Sequence, residues 1–118
     1  MKFIEYPKCS TCKKAKQFLI ENNVIFEQRN IKEQKPTLEE LMSWYKIANI
    51  DIKKMFNTSG LLYKELNLKE KLNNLSFEEK MALLASDGML VKRPILIDNN
   101  VVLFGFNEEK YRELLKKH

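Results

Sequence analysis

The stretch Tyr6-Pro7-Lys8-Cys9-Ser10-Thr11-Cys12-Lys13-Lys14 decides how this chain is read. It holds both cysteines of the protein, at the point where an apolar strand pattern (Phe3, Ile4, Tyr6) gives way to a helical one. In a cytosolic chain, C-x-x-C beside a β-α pattern reads as a redox motif. A sulfur at a helix N-terminus faces unpaired backbone N–H groups and the positive end of the helix dipole, both of which favour thiolate over thiol. Such surroundings lower a cysteine pKa of about 8.5 to between about 3.5 and 7.5. Lys8, Lys13 and Lys14 add field of the same sign. Residues three apart on a helix lie roughly 5–6 Å from each other, within the Cα separation a disulfide accepts. The placement predicts Cys9 as an attacking thiolate and Cys12 as the thiol that resolves it. Two inert buried thiols would satisfy the same residues, because free cysteine packs as a small hydrophobe. Zinc needs three or four ligands, and the sole histidine is the terminal His118. No metal and no cofactor is expected.

Composition sets the frame around this motif. With 118 residues, 44% hydrophobic and 31% charged, and only three Gly and three Pro, the chain reads as one domain over 1–118, compact and helix-rich. No segment approaches the roughly 20 apolar residues of a membrane span. The opening MKFIEYPKC lacks the apolar core of a signal peptide. The expected location is therefore the cytoplasm, a reducing compartment where a disulfide is catalytic or sensing rather than structural. The net charge of +5 comes from 21 basic and 16 acidic residues that are interleaved almost throughout. No direct DNA binding is expected from it, and no membrane association. The densest basic cluster, Lys13, Lys14 and Lys16, lies on the cysteine helix. It reads as a solvated face that also attracts anionic substrates. A monomer is expected.

In chain order, Lys2–Tyr6 reads as a strand and Cys12–Asn22 as a helix with Ala15, Phe18 and Leu19 on one apolar face. Val24–Ile31 alternates as a second strand, parallel to the first if the helix crosses over. Thr37 and Glu40 form a capping box, opening a helix with Leu38, Leu41, Met42 and Tyr45 as its buried stripe. Ile50–Phe56 reads as a short helix, Asn57-Thr58-Ser59-Gly60 as a polar turn and Leu62–Leu66 as a helical turn. Ser76 and Glu79 form a second capping box for Phe77–Ala85, closed by Asp87-Gly88. From Met89 the β pattern returns. Ile95–Ile97 and Val101–Phe104 flank the turn Asp98-Asn99-Asn100 as a hairpin, and Asn107 caps a final helix over Glu108–Lys117. The order β-α-β, helical block, β-β-α is that of a thioredoxin-like α/β fold with a helical insertion at about 36–88.

Lys92-Arg93-Pro94 stands just before the third strand. Proline is tolerated as the first residue of a strand and holds the residue before it extended. On physical grounds a cis Arg93–Pro94 bond is uncommon, at about 5–6% of X–Pro bonds. If the sheet assembles in this order, Arg93 comes near the cysteine turn, where its fork of donors can meet an oxyanion or the Cys9 thiolate. A plain surface arginine beside a proline fits equally well.

The runs Pro7-x-Cys9-x-x-Cys12-x-Lys14-Ala15, Arg29-Asn30-Ile31, Arg93-Pro94-Ile95 and Gly105-Phe106-Asn107-Glu108-Glu109 together resemble the arsenate reductase/Spx family along the whole chain. That family comprises glutaredoxin-coupled arsenate reductases, the Spx and MgsR redox-sensing regulators of Gram-positive bacteria, and short arsenate-reductase-like relatives. The resemblance is strongest to these last. It implies a thioredoxin-like fold with a helical insertion, a cis proline in the Arg-Pro step and an active thiol at Cys9. It places Cys9, Cys12 and Arg93 in the catalytic role, with Ser10, Thr11, Asn57 and Pro94 as substrate or anion contacts. The side chains of the Asn57 turn are also ordinary turn formers. The reductases carry further arginines at the positions of Asn57 and Gly105, so an arsenate-sized trianion would here be held by Arg93 alone. Each charged hydrogen bond lost costs roughly 1.5–3 kcal/mol.

Two activities follow from this likeness. In one, Cys9 attacks a disulfide or oxyanion, Cys12 resolves the adduct, and thioredoxin, glutaredoxin or a low-molecular-weight thiol reduces the pair. In the other, the pair is a switch on an interface for the C-terminal domain of the RNA polymerase α subunit. This chain ends without the basic tail that extends Spx.

Overall fold

The computed structural model describes residues 1–117, so the terminal His118 lies outside the described residues. The described residues form a four-stranded sheet and six α-helices, divided between two compact units.

The first unit joins residues 1–30 to the chain from Arg93 onward and contains the whole sheet. Strand β1 (Lys2–Glu5) is followed by helix α1 (Ser10–Glu21), which crosses over to β2 (Glu27–Asn30), parallel to β1 as expected. Both elements differ from the sequence-based bounds. The helix begins earlier, because the Cys9 sulfur already caps it, and β2 is confined to four residues. Asn23 takes a left-handed conformation (φ 57°), a region asparagine tolerates better than most residues. It thereby stops the helix just after Asn22. Strand β3 (Ile95–Asp98) pairs antiparallel to β1, and the hairpin partner β4 (Val101–Phe104) completes the order β2-β1-β3-β4. Asn107 caps α6 (Glu108–Lys116), its side-chain oxygen accepting from the Lys110 N–H at 3.1 Å.

Alternation along β1 sends Phe3 to the face where α1 and α6 pack. There it meets Ala15, Phe18, Leu19, Leu96, Tyr111 and Leu114 in one buried cluster. Each large apolar side chain so buried contributes about 1.5–3 kcal/mol. The expected apolar face of α1 is thus the face that holds the helix on the sheet. This is a thioredoxin-like arrangement: a βαβ unit, then an antiparallel hairpin and a closing helix.

The second unit spans Ile31–Lys92 and is helical. Helices α2 (Leu38–Ala48) and α5 (Phe77–Ser86) both start with the expected capping boxes. In α2, Thr37 accepts from the Glu40 N–H at 3.1 Å while Glu40 accepts from the Thr37 N–H at 3.0 Å. The Ser76–Glu79 pair repeats this at 3.1 and 2.9 Å. Between them lie a 3-10 turn (Ile52–Met55), α3 (Leu61–Glu65), α4 (Leu68–Lys71) and a second 3-10 turn (Leu72–Asn74). A third 3-10 turn, Gly88–Leu90, follows α5 in place of the β pattern expected from Met89. An isolated bridge, Phe56 with Val91, follows it, and the expected strands themselves begin at Ile95. Gly88 approaches the Ile31 carbonyl too closely to carry a Cβ.

Three positions of the expected stripe in α2 differ from expectation, Met42 and Tyr45 being half-buried and Leu38 exposed. Leu38 is 50% exposed, and the stripe is carried by Leu41 and Trp44. A helical side chain covers the turn N-terminal to its own Cα. Leu38 is the first residue of α2 and has no such turn to cover. No motif marks α4, although Leu68 and Leu72, four positions apart and both buried, carry its signal.

Candidate functional site

Past Glu5 the chain turns tightly, with the Cys9 N–H donating to the Tyr6 carbonyl at 2.9 Å. Cys9 then serves as the N-cap of α1. Its backbone is extended (φ −83°, ψ 124°), and its Sγ accepts from the Cys12 N–H at 3.4 Å. No acidic residue stands in the first turn of this helix. Burial is the largest single influence on the Cys9 thiol and pushes its pKa up. The Cys12 N–H, the Cys12 thiol and the Arg93 guanidinium together overcome that influence, so the net displacement is downward. The Cys9 thiol thus sits at a helix start, partly open to solvent and easier to ionise than usual.

Cys12 has the opposite environment. It is fully buried, and burial, followed by the nearby Cys9, pushes its pKa up to about 12, against the help of the Tyr6 backbone N–H and the Arg93 charge. Both cysteines are free thiols. One helical turn therefore presents an ionisable sulfur to solvent and a protonated sulfur beneath it.

The sheet brings Arg93 to this turn. Antiparallel pairing of Ile4 with Ile95 puts the residues just before β3 beside the end of β1. The Arg93–Pro94 bond is cis, as the family resemblance implies. The buried Pro94 carbonyl accepts from the Gly105 N–H at 2.8 Å, where Gly105 holds φ 80°, a conformation suited to glycine. The guanidinium lies 5.1 Å from the centre of the Tyr6 ring, so a cation–π contact helps to hold it. An arginine at Gly105 would have to adopt that positive φ.

Of the other residues singled out from sequence, Ser10 and Thr11 are exposed at the mouth of α1, as are Lys8, Lys13 and Lys14. Asn57 belongs to the second unit, and its groups are engaged within that unit. Its N–H donates to the Leu90 carbonyl at 2.8 Å, its side-chain oxygen accepts from the Ser59 hydroxyl at 3.5 Å, and a Cβ at Gly60 would strike its side chain. Three residues near the sulfurs escape sequence reading. Tyr6 supplies the ring beneath Arg93. Glu5 is buried on the α1 face and ion-paired to Lys16 at 3.6 Å. Tyr111 sits in the core beneath α1, with negative charge on Cys12 among the influences on its phenol. A carboxylate at the end of an apolar strand pattern was the available signal for Glu5; nothing local marks Tyr111.

Fold and site together define a thioredoxin-like protein with a paired-cysteine helix start and an arginine across from it. The ArsC family matches residues 4–114, and the chain belongs to that family. It is similar to YusI of Bacillus subtilis (strain 168), with 50% identity over 111 residues and 94% of each chain covered. The regulatory protein MgsR of the same organism is 31% identical over 115 residues, 98% of this chain and 90% of MgsR. Among solved structures, an ArsC family related protein from Bacteroides fragilis superposes with a TM-score of 0.94 at 49% identity, covering 96% of this chain and 95% of its own. An arsenate reductase from Vibrio cholerae does so with a TM-score of 0.79 at 25% identity, covering 98% and 97%. Arsenate-reductase-like proteins and Spx/MgsR regulators are thus both among its relatives. Among the described residues no helix is long and apolar enough to cross a membrane.

Proposed function

We propose that this protein is a cytoplasmic thiol–disulfide redox protein in which Cys9 is the nucleophile and Cys12 the resolving thiol. The carrying observation is the contrast in acidity between the two sulfurs, one lowered at the helix start and one raised in the interior. The Cys9 thiolate attacks one sulfur of a substrate disulfide. A Cys9–substrate mixed disulfide forms, and the other half leaves as a thiolate with the electron pair of the broken bond. Cys12 then loses its proton to solvent and attacks the Cys9 sulfur. The second half of the substrate departs and a Cys9–Cys12 disulfide remains, so two electrons have passed from the dithiol to the substrate. Thioredoxin, glutaredoxin or a low-molecular-weight thiol returns them. Arg93 stabilises the Cys9 thiolate, and Ser10, Thr11 and Pro94 border the approaching substrate.

A disulfide suits this site better than arsenate, because Arg93 is the single arginine here and a trianion gains from several charged donors. Alkylation of Cys9 followed across pH tests the reading. The expected midpoint lies below the ordinary thiol value of about 8.5. A midpoint at or above that value removes the proposed nucleophile.

The likeness to MgsR supports a second reading, in which the same disulfide acts as a switch on an interface for the polymerase α C-terminal domain. Stoichiometric capture of that domain by one redox form, without turnover of disulfide substrates, would favour this second reading.

A further inference from the structure

Tyr6 stands one position beyond β1, and its backbone serves the start of α1. The carbonyl accepts from the Cys9 N–H at 2.9 Å, and the N–H bonds the Cys12 sulfur. Its side chain has a separate task. Strands β1 and β3 pair antiparallel, with Ile4 opposite Ile95 as the pair nearest the cysteines. Two residues further along the same register, Tyr6 comes opposite Arg93. There the guanidinium carbon lies over the Tyr6 ring, 5.1 Å from its centre, inside the reach of about 6 Å for a cation–π contact. Both residues are half-buried, so the contact is partly sheltered from water and salt.

The choice of a ring at this place has a physical logic. Arginine carries a long side chain with many rotamers, and holding it at one spot costs entropy that some contact must offset. A carboxylate would fix the guanidinium more strongly, but its negative charge would cancel the field that a thiolate needs. An aromatic ring attracts the cation through its quadrupole and brings no net charge. The carboxylate next in sequence, Glu5, is engaged elsewhere, with Lys16 on α1 at 3.6 Å.

We infer that Tyr6 is a positioning residue whose ring holds the Arg93 guanidinium against the Cys9 sulfur and thereby sets how fast Cys9 attacks near neutral pH. The inference rests on reading Cys9 as the nucleophile. Arg93 acts on that sulfur by a hydrogen bond and by its charge. A hydrogen bond weakens steeply once its donor strays from the favoured distance and angle. A guanidinium released from the ring therefore spends less of its time in contact with the sulfur. Tyr6 exchanges no proton or electron in this role, and the thiol–disulfide steps keep their order.

Alkylation of Cys9 by iodoacetamide tests this on the full chain, followed from acid to alkaline pH and read on the Cys9 peptide by mass spectrometry. In Tyr6→Leu the midpoint is expected to rise. The rate below the midpoint falls about two- to fivefold, the span of a partly exposed cation–π contact, while the alkaline plateau is unchanged. Tyr6→Phe keeps the ring and is expected to retain the parent profile. Pentafluorophenylalanine at position 6 fills the same space with its quadrupole reversed, so it is expected to behave as leucine does, and it carries the test if Tyr6→Leu does not fold. In an Arg93→Met background, the loss of the ring is expected to change nothing further. A ring-altered profile that matches the parent overturns the inference. So does a shift of equal size with Arg93 already gone, or a Tyr6→Phe protein that loses as much as Tyr6→Leu. If the parent's own midpoint lies at or above the ordinary thiol value, the nucleophile reading has failed and this inference fails with it. A low parent midpoint shared by every Tyr6 variant sinks the inference alone.

Discussion

The start of α1 and the starts of α2 and α5 solve the same problem in opposite ways. Thr37 and Ser76 close their helices with reciprocal capping boxes, and Glu39, Glu40, Glu78 and Glu79 place negative charge in the first turns. These are the choices that most stabilise a helix N-terminus. Helix α1 has neither device: its cap is a sulfur accepting at 3.4 Å, and its first turn carries no acid. Sulfur is a weak acceptor, so the orphan N–H groups and the dipole remain available to a negative charge. The second unit uses its helix starts for stability. The first unit leaves one under-capped, and its open N–H groups join the Cys12 thiol and the Arg93 guanidinium in drawing the Cys9 pKa down.

The largest expected effect is that of Cys9→Ser. The variant loses all reaction with alkylating agents and disulfides at this position, yet serine is a better N-cap, and the fold gains about 0.5–1 kcal/mol. That gain is read by denaturant unfolding at acid pH. The sign follows from the lowered pKa of Cys9. The stability contributed by its ionisation is present above the unfolded-state pKa and lost as pH falls through the folded one. In acid, therefore, only the cap is compared. A Cys9→Ser protein less stable than its parent in acid would mean that the sulfur caps as well as an oxygen.

Arg93→Met comes next. Loss of the guanidinium raises the Cys9 pKa toward its ordinary value, and alkylation at pH 7 slows several-fold, while Cys12→Ser retains a reactive Cys9. An unchanged alkylation profile in Arg93→Met would leave the helix start as the sole source of acidity and sharpen the comparison further. The smallest effect on chemistry belongs to Ser76→Ala. It costs about 1 kcal/mol of stability and leaves the alkylation rate of Cys9 as it was. A change in that rate would show that the two kinds of helix start are not independent.

Much of this could be read from residue order. Capping boxes, the asparagines that end α1, and the alternation before Pro7 are local signals, each decided within a few residues of itself. The C-x-x-C at a strand-to-helix change was legible for the same reason, although the structure starts the helix at Ser10 with Cys9 as its cap. Leu38 and α4 were misread or missed because a helix end and a short polar helix have little pattern to show.

From the chain alone one obtains the succession of elements, the family resemblance and the two sulfurs, because propensity, capping and periodicity act between near neighbours. Tertiary structure alone decided that β3 lies antiparallel beside β1, that Arg93 stacks on Tyr6 next to Cys9, and that Tyr111 is buried beneath α1. Those outcomes join residues more than eighty positions apart. The acidity of a sulfur depends on how completely water is excluded and which charges remain close to it, and both are settled only when distant segments pack.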